Sequence, residues 1–158
     1  MSSFEKNYEL ALNNAKRLSD KILIDGKLIS AQTDKKIPVL NPSTGENIGS
    51  APQCDKNDVN IAVESAFKAF QKWKKIPARE RGKMVAAGAK RLEERKSEIE
   101  TLLSLDTGNA LRTQAVPETA ASIELTNMFA GLSGELKGEN YPANIPNTIH
   151  YTTRDPIG

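Results

Sequence analysis

Two side chains stand out as chemically reactive, because the 158-residue sequence contains one cysteine and one histidine. Cys54 directly precedes Asp55, a typical residue at the start of a helix, and a helix N-terminus stabilises a thiolate. A cysteine nucleophile is usually activated by a neighbouring base, but His150 is about a hundred residues away in the sequence. We therefore interpret Cys54 as an ordinary small residue and His150 as a packing or surface residue.

Other common signatures of catalysis or phosphate binding are missing from the sequence. It contains no Gly-x-Gly-x-x-Gly loop, no Gly-Lys-Ser/Thr loop and no Gly-x-Ser-x-Gly elbow. Single Cys and His residues also exclude an internal disulfide framework and a metal cluster of imidazoles or thiolates. No run of 18 apolar residues and no apolar N-terminal signal core occur, so we expect a cytoplasmic protein without a membrane partner.

Positive charge is concentrated in one stretch, although the formal net charge of the chain is only +2. Residues 72–96 contain ten Lys or Arg and three Glu, a local charge of +7. Such a stripe can bind nucleic acid, and a stand-alone helical binding or regulatory module is one interpretation of the chain. No aromatic platform or RNA-binding motif accompanies the charge, which favours a solvated helix face and no nucleic-acid partner.

The first part of the chain predicts a short helix and two β-hairpins. Residues 4–18 place Phe4 to Leu18 at helical spacing. Asp25-Gly26 between apolar runs predicts a two-residue hairpin, because both central residues need positive φ. Residues 41–46, Asn-Pro-Ser-Thr-Gly-Glu, predict a second hairpin with a type I turn and a left-handed glycine.

Helical patterns dominate the rest of the chain. Asp55 caps a helix whose apolar stripe, from Val59 to Trp73, indicates a buried side and not a ligand groove; Ile76-Pro77 ends it. Further helices are predicted from Ala78, with a break at Ser97, to Gly108, and from Pro117 to Leu132. Residues 141–146 are predicted to be loop and residues 148–153 to be a strand.

Seven short motifs, each weak alone, occur in one order along the chain. They are Ile24–Lys27, Asn41–Glu46, the Asp58-Val59 helix with Phe67, Phe70 and Trp73, Arg79–Lys83, Leu105–Gly108, Phe129–Gly131 and Tyr151–Gly158. In this order they resemble the N-terminal part of the NAD(P)-dependent aldehyde dehydrogenase family. The resemblance covers residues 21–158, and family members are roughly three times as long as this chain.

The resemblance implies an incomplete α/β fold. Residues 1–145 would be the N-terminal portion of the cofactor-binding domain, two β-hairpins followed by a helical layer, without the Rossmann-type parallel sheet. Residues 146–158 would be the first strand of the oligomerisation arm. Since the helices would lack the sheet that they normally cover, we expect the chain to expose a sizeable apolar patch.

The family oxidises an aldehyde to a carboxylic acid through a cysteine thioester, with NAD or NADP as the hydride acceptor. The resemblance places the catalytic residues and the dinucleotide site downstream, so this segment is expected to be an inactive scaffold that contributes no catalytic or cofactor-binding residue. The complete protein would act on an aldehyde as a homodimer or homotetramer. A fragment of an acyl-CoA-forming aldehyde dehydrogenase is an alternative. Only residues downstream of this segment could distinguish it from a fragment of the acid-forming enzyme.

One binding role carries over from the family to residues of this chain. Some members hold a monovalent cation with main-chain oxygens before the Asn-Pro turn and with an Asp that precedes Thr-Gly or Asn-Gly. The matching positions are Val39, Leu40 and Asp106. Oxygen ligands suit a hard cation, and a further protein ligand would lie beyond Gly158. The alternative is that Asp106 only caps or solvates a helix end.

Overall fold

A computed structural model describes residues 3–157, with side chains from Glu5 onwards, so that Gly158 and the side chain of Phe4 lie outside the described part. The elements follow the chain as α1 (Ser3–Leu18), β1 (Lys21–Ile24), β2 (Lys27–Ser30), β3 (Lys36–Leu40), β4 (Asn47–Pro52), α2 (Lys56–Trp73), α3 (Ala78–Glu94), α4 (Lys96–Thr107), a π-helical turn (Leu111–Ala115), α5 (Val116–Leu132), β5 (Asn140–Tyr141) and β6 (His150–Tyr151). The strands form three separate two-stranded antiparallel sheets, and the described residues contain no parallel sheet.

Both predicted hairpins are confirmed, and their turns have the expected backbone. Between β1 and β2, Asp25 and Gly26 have φ of 52° and 72°. Between β3 and β4, the side chain of Asn41 accepts the Ser43 N–H at 2.9 Å, and Gly45 has φ of 74°. Asn41 is buried, and its main-chain N–H donates to Glu46 O at 2.8 Å. The Asn-Pro turn therefore closes on the asparagine, which fixes the backbone immediately after β3.

The start of α2 is held by carboxylates, as predicted. The Asp55 side chain accepts the N–H groups of Asn57 and Asp58, while Asp58 accepts the Asp55 N–H, which completes a capping box. Asp58 also accepts the Gln32 N–H at 2.9 Å and is buried. This carboxylate therefore ties α2 to the segment between the two hairpins, a role that the sequence pattern did not indicate.

The structure differs from the expectation in four places. Tyr141 was predicted in a loop but pairs with His150, and the strand predicted over 148–153 is reduced to two residues. The ladder does not continue beyond Tyr141, because Pro142 has no N–H. At the other end of the ladder, the Thr152 N–H donates to Glu139 O at 2.9 Å. The break between α3 and α4 lies at Arg95 and not at Ser97, and the π-helical turn before α5 was not predicted.

Two packing regions hold the helices. The first joins α1, β4 and α4 through Ala11, Ile48 and Leu105. The second joins α3 to α5, where Gly82 and Ala130 are both buried. No large side chain among the described residues is fully buried, and the set of exposed large apolar side chains contains 23 residues. The α2 stripe belongs to it, since Val59, Val63 and Phe67 are exposed and not buried within this chain.

The contact between α3 and α5 leaves no room for a side chain at position 82. A Cβ atom there would lie 2.1 Å from Ser133 Oγ and 2.5 Å from Ala130 O, whereas at Gly88, on the same helix, nothing lies within 4 Å. We expect Gly82→Ala to lower the free energy of unfolding by about 1–3 kcal/mol through overpacking. Gly88→Ala should be neutral or raise it by up to ~1 kcal/mol.

Urea unfolding followed by circular dichroism at 222 nm measures both variants. A midpoint for Gly82→Ala equal to that of Gly88→Ala would show that the two helices do not approach as closely as described.

Candidate functional site

Val39 and Asp106, two of the residues predicted to bind a cation, line the same cleft. It encloses about 370 Å³ between α1, the second hairpin and α4, and its lining also includes Ser19, Gly49 and Ser50. Leu40 follows Val39 in β3 but is not among the lining residues. Strand β3 and the last turn of α4 are far apart in the sequence, and the core of Ala11, Ile48 and Leu105 brings them together.

Backbone geometry is irregular where the main-chain oxygens would be needed. Val39 is opposite Gly49 and Leu40 is opposite Asn47, so one residue, Ile48, is extra on β4 between these pairs. A bulge of this kind interrupts the regular hydrogen-bond ladder. Directly after it, the Asn41 turn reverses the chain. The Asn41 turn thus fixes the backbone that follows Leu40, and the bulge disrupts the pairing of Val39 and Leu40 with β4.

Asp106 lies at the C-terminal end of α4. It is exposed in the last turn of α4, which contains no basic residue, and its carboxylate makes no hydrogen bond or ion pair with the described residues. The C-terminal end of a helix carries partial negative charge, so a carboxylate there is disfavoured and a cation is favoured. Of the two alternative roles of Asp106, capping has no support in its contacts, because the Gly108 N–H bonds to Ser104 O, whereas its exposure fits a solvated residue at the helix end.

Together these groups offer oxygen ligands of low total charge. One carboxylate with main-chain carbonyl oxygens suits a hard monovalent cation. The described residues include no group of three or more His, Cys, Asp or Glu side chains that could hold a metal ion. The residues that line the cleft are mainly apolar, and Asp106 is the one charged residue among them.

The rim of the cleft carries a charged pair. The Asp20 carboxylate accepts hydrogen bonds from Lys36 Nζ at 2.5 Å and from Ser50 Oγ at 2.7 Å. The hydrogen bond from Lys36, followed by that from Ser50, lowers the pKa of Asp20 below its usual range. This pairing ties the end of α1 to both strands of the second hairpin, next to the cleft.

Neither of the two reactive side chains belongs to a catalytic arrangement. Cys54 is exposed before α2, and its thiol forms no hydrogen bond within the described residues. His150 is exposed in β6. The structure therefore does not bring a nucleophile and a base together in the part of the chain that it describes.

The basic stretch is partly neutralised by acidic neighbours on the helices. Ion pairs join Lys83 to Glu80, Arg91 to Glu94, Arg95 to Glu98 and Lys96 to Glu93. All are i,i+3 pairs, and three of them have the exposure typical of a solvated face, whereas the Glu98 side chain is only 11% exposed. The hydrogen bond and charge of Glu98 raise the pKa of Arg95. In addition, no helix in residues 3–157 is long and apolar enough to cross a bilayer.

The chain matches one family over most of its length. The model of the family described as "Aldehyde dehydrogenase family" matches residues 28–158. Aldehyde dehydrogenase tropH of Talaromyces stipitatus is 36% identical over 149 residues, which cover 93% of this chain and 29% of that protein. Phenylacetaldehyde dehydrogenase of Pseudomonas fluorescens is 32% identical over 163 residues, which cover 99% of this chain and 32% of that protein.

Solved structures give the same result. Betaine aldehyde dehydrogenase of Staphylococcus aureus, in complex with NAD⁺, superposes with a TM-score of 0.82 at 28% identity. The superposition covers 90% of this chain and 29% of that protein. The chain therefore spans about 30% of the length of the relatives it matches.

The position of Asp20 gives a test of the rim geometry. A depressed pKa in the folded state means that the ionised Asp20 contributes stability above the usual Asp pKa, and that this contribution is lost as pH falls through the folded-state value. We expect Lys36→Met to raise the pKa of Asp20 towards the usual range. Lys35→Met, which removes the same charge one residue away, should leave it almost unchanged.

A carboxyl NMR titration from pH 6 to pH 2 measures the Asp20 pKa in each variant. Equal pKa values in both variants and in the unmodified chain would contradict the Lys36–Asp20 contact.

Proposed function

This chain belongs to the aldehyde dehydrogenase family, and we propose that it is the N-terminal portion of an enzyme that oxidises an aldehyde to a carboxylic acid. The observation that carries the proposal is the match of residues 28–158 to the family, together with the span of about 30% of each relative. In the complete enzyme, NAD or NADP would accept the hydride. The catalytic cysteine and the dinucleotide site would lie in the remaining 70%.

Within that enzyme, this segment would serve as scaffold. The exposed stripe of α2 and the exposed apolar side chains of α5 would cover the cofactor-binding sheet, because amphipathic helices in α/β folds bury their apolar sides on a sheet. The hairpin of β5 and β6 would begin the arm that pairs subunits into a homodimer or homotetramer. No residue of this chain is assigned to the chemical step.

The cleft beside Asp106 would hold a monovalent cation. The Asp106 carboxylate and the main-chain oxygens of Val39 and Leu40 would be its ligands from this chain, and a further protein ligand would come from downstream. The cation would have a structural role: it would neutralise the carboxylate at the end of α4 and fix the second hairpin against this helix. The support is the shared cleft of Val39 and Asp106 and the unpaired carboxylate.

Activity measurements test the scaffold role. The pure 158-residue chain should form no NADH or NADPH from aldehydes. A chimera in which this chain replaces the matched segment of phenylacetaldehyde dehydrogenase from Pseudomonas fluorescens should oxidise phenylacetaldehyde, because the rest of that relative supplies the reacting groups. Absorbance at 340 nm with NAD or NADP measures both.

The same relative without its matched segment is the control, and it should be inactive. Reduced cofactor produced by the pure chain would contradict the scaffold role. A chimera that is folded by circular dichroism and yet inactive would contradict the proposed enzyme.

Cation binding is tested in the same chimera by its melting temperature. At equal ionic strength, KCl should give a higher melting temperature than tetramethylammonium chloride, because a cation that binds only the folded state stabilises it. Asp106→Asn should abolish this difference. Asp34→Asn removes a carboxylate from an exposed loop outside the cleft and should preserve it. A difference that survives Asp106→Asn would exclude this carboxylate as a ligand.

A further inference from the structure

The turn between β1 and β2 contains two neighbouring groups that can react with each other. Asp25 is the only aspartate in the sequence that is followed by glycine, and no asparagine is followed by glycine. The amide nitrogen of the residue after an aspartate can attack the aspartate Cγ atom and close a five-membered succinimide ring. Glycine hinders this approach least, because it has no Cβ atom. The peptide bond between Asp25 and Gly26 is therefore the position in the sequence where such a ring closes most easily.

Both reacting groups are free of other partners within residues 3–157. The Gly26 N–H donates no hydrogen bond there, and the exposed Asp25 carboxylate forms no hydrogen bond or ion pair. A Cβ atom built on Gly26 would have nothing within 4 Å, so the turn is not shielded by neighbouring groups. Asp25 also lines an open cleft of about 980 Å³ beside α2, which leaves its side chain room to rotate.

Asp34 is exposed as well, but its surroundings differ. The N–H of the following residue, Lys35, donates to Thr33 Oγ1 at 3.1 Å, so this nitrogen is already engaged. The lysine side chain also hinders the approach to the nitrogen. Asp34 is therefore an internal control for the reactivity of Asp25.

The hairpin around the Asp25–Gly26 turn is weakly held. Strands β1 and β2 form a sheet of only two strands, and all four residues of β2, Lys27–Ser30, are exposed. A two-stranded hairpin with little cover is marginally stable in water, so its local opening needs little free energy. Asp25 also has φ of 52°, a conformation that residues other than glycine adopt infrequently. The turn can therefore leave its folded shape and bring Asp25 Cγ next to the Gly26 nitrogen.

We propose that Asp25–Gly26 is a modification site, at which this chain converts aspartate into isoaspartate without an enzyme. The Gly26 nitrogen attacks Cγ of the protonated Asp25 carboxyl group and forms a C–N bond. The carboxyl hydroxyl and the proton of the N–H leave together as one water molecule, which gives the succinimide. A second water molecule then opens the ring.

The position at which water opens the ring decides the product. Cleavage between the Gly26 nitrogen and Cγ restores aspartate. Cleavage between this nitrogen and the main-chain carbonyl carbon of Asp25 gives isoaspartate, in which the backbone continues through Cβ and Cγ and the former main-chain carbonyl becomes the free carboxylate. One water is lost and one is gained, so the mass is unchanged and nothing is oxidised or reduced.

Isoaspartate at this position would release β2 from its register. The additional backbone methylene lengthens a two-residue turn whose positive φ angles match the twist of the two strands. Ile24 and Lys27, which pair directly beside the turn, would no longer lie opposite each other. Because β2 is exposed, little else holds it, whereas Ile22 and Ile24 of β1 are half-buried. This consequence follows from the hairpin itself and stands whether or not the proposed function holds.

Incubation of the pure chain at 37 °C and neutral pH, followed by tryptic digestion, tests the proposal. Trypsin releases residues 22–27 and 28–35 as separate peptides, which contain Asp25 and Asp34. Isoaspartate peptides have the same mass as aspartate peptides but separate on reversed-phase chromatography, and electron-transfer fragmentation identifies them. We expect the folded chain to form isoaspartate at residue 25 at a rate within about tenfold of that of the synthetic peptide 22–27, because opening of the turn needs little free energy.

Two variants examine the chemistry. Asp25→Glu keeps the charge and lengthens the side chain by one methylene, so a five-membered ring cannot form and its peptide 22–27 should remain a single species. Asp25→Asn preserves the turn, because asparagine tolerates positive φ. In this variant the same attack by the Gly26 nitrogen releases ammonia in place of water, and isoaspartate should form faster than in the unmodified chain.

Isoaspartate at residue 25 of the folded chain, with none at Asp34, supports the proposal. Formation in the folded chain that is more than about tenfold slower than in the peptide would show that the turn protects the bond, and this result overturns the proposal. Equal conversion of Asp34, or an Asp25→Asn chain that stays unmodified, also overturns it.

Hydrogen-exchange mass spectrometry of the incubated chain measures the release of β2. A second population should appear in proportion to the isoaspartate content, and its β2 amides should exchange at least about tenfold faster than those of the unmodified chain. A single population with unchanged exchange in a chain that contains isoaspartate would overturn the release of β2.

Discussion

The close approach of α3 and α5 is the constraint on which the helical part of this chain depends. Gly82 and Ala130 meet with no space for a further methyl group, so the two helices can pack at this distance only with a glycine at that position. This contact occupies the side of α5 that carries small residues. The large apolar side chains of the same helix are thereby directed to the other side, where the described chain provides no cover. One tight contact thus accounts for both the close packing of α3 on α5 and the uncovered apolar side of α5.

A second constraint acts at the other end of the fold. The Asn41 turn, the bulge in the second hairpin and the core of Ala11, Ile48 and Leu105 together place Val39 beside the end of α4. Asp106 is left there without a partner, at a helix end that disfavours a negative charge. The same local geometry that orders the hairpin therefore brings Val39 and Asp106 to one cleft.

Local signals in the sequence were sufficient for most elements. Asp25-Gly26, the Asn41–Glu46 turn and the Asp55–Asp58 capping box act over a few residues, and each structure formed as predicted. Features that depend on contacts between distant residues were harder to predict from the sequence. The pairing of Tyr141 with His150 joins only two residues across a loop with two prolines, and no periodicity marks so short a ladder. The prediction of a buried side for the apolar stripe of α2 was wrong for the described chain, where Val59, Val63 and Phe67 are exposed, because periodicity cannot show whether a covering element is present. The shared cleft of Val39 and Asp106 was reached through family motifs, because their spacing in the sequence carries no information on contact.

The two-sided character of α5 has a consequence for biosynthesis. The relatives are about 510 residues long, judged from 149 residues at 29% coverage, so in the proposed complete enzyme about 350 residues would remain to be translated after this segment. At ~5–20 residues per second, their synthesis takes roughly 20–70 s. During that interval Leu125, Met128, Phe129 and Leu132 would be exposed on the nascent chain, as a binding site for chaperones that recognise extended apolar surface. The time for which this helix stays uncovered would thus depend on the length of the enzyme and not on the folding rate of the segment itself.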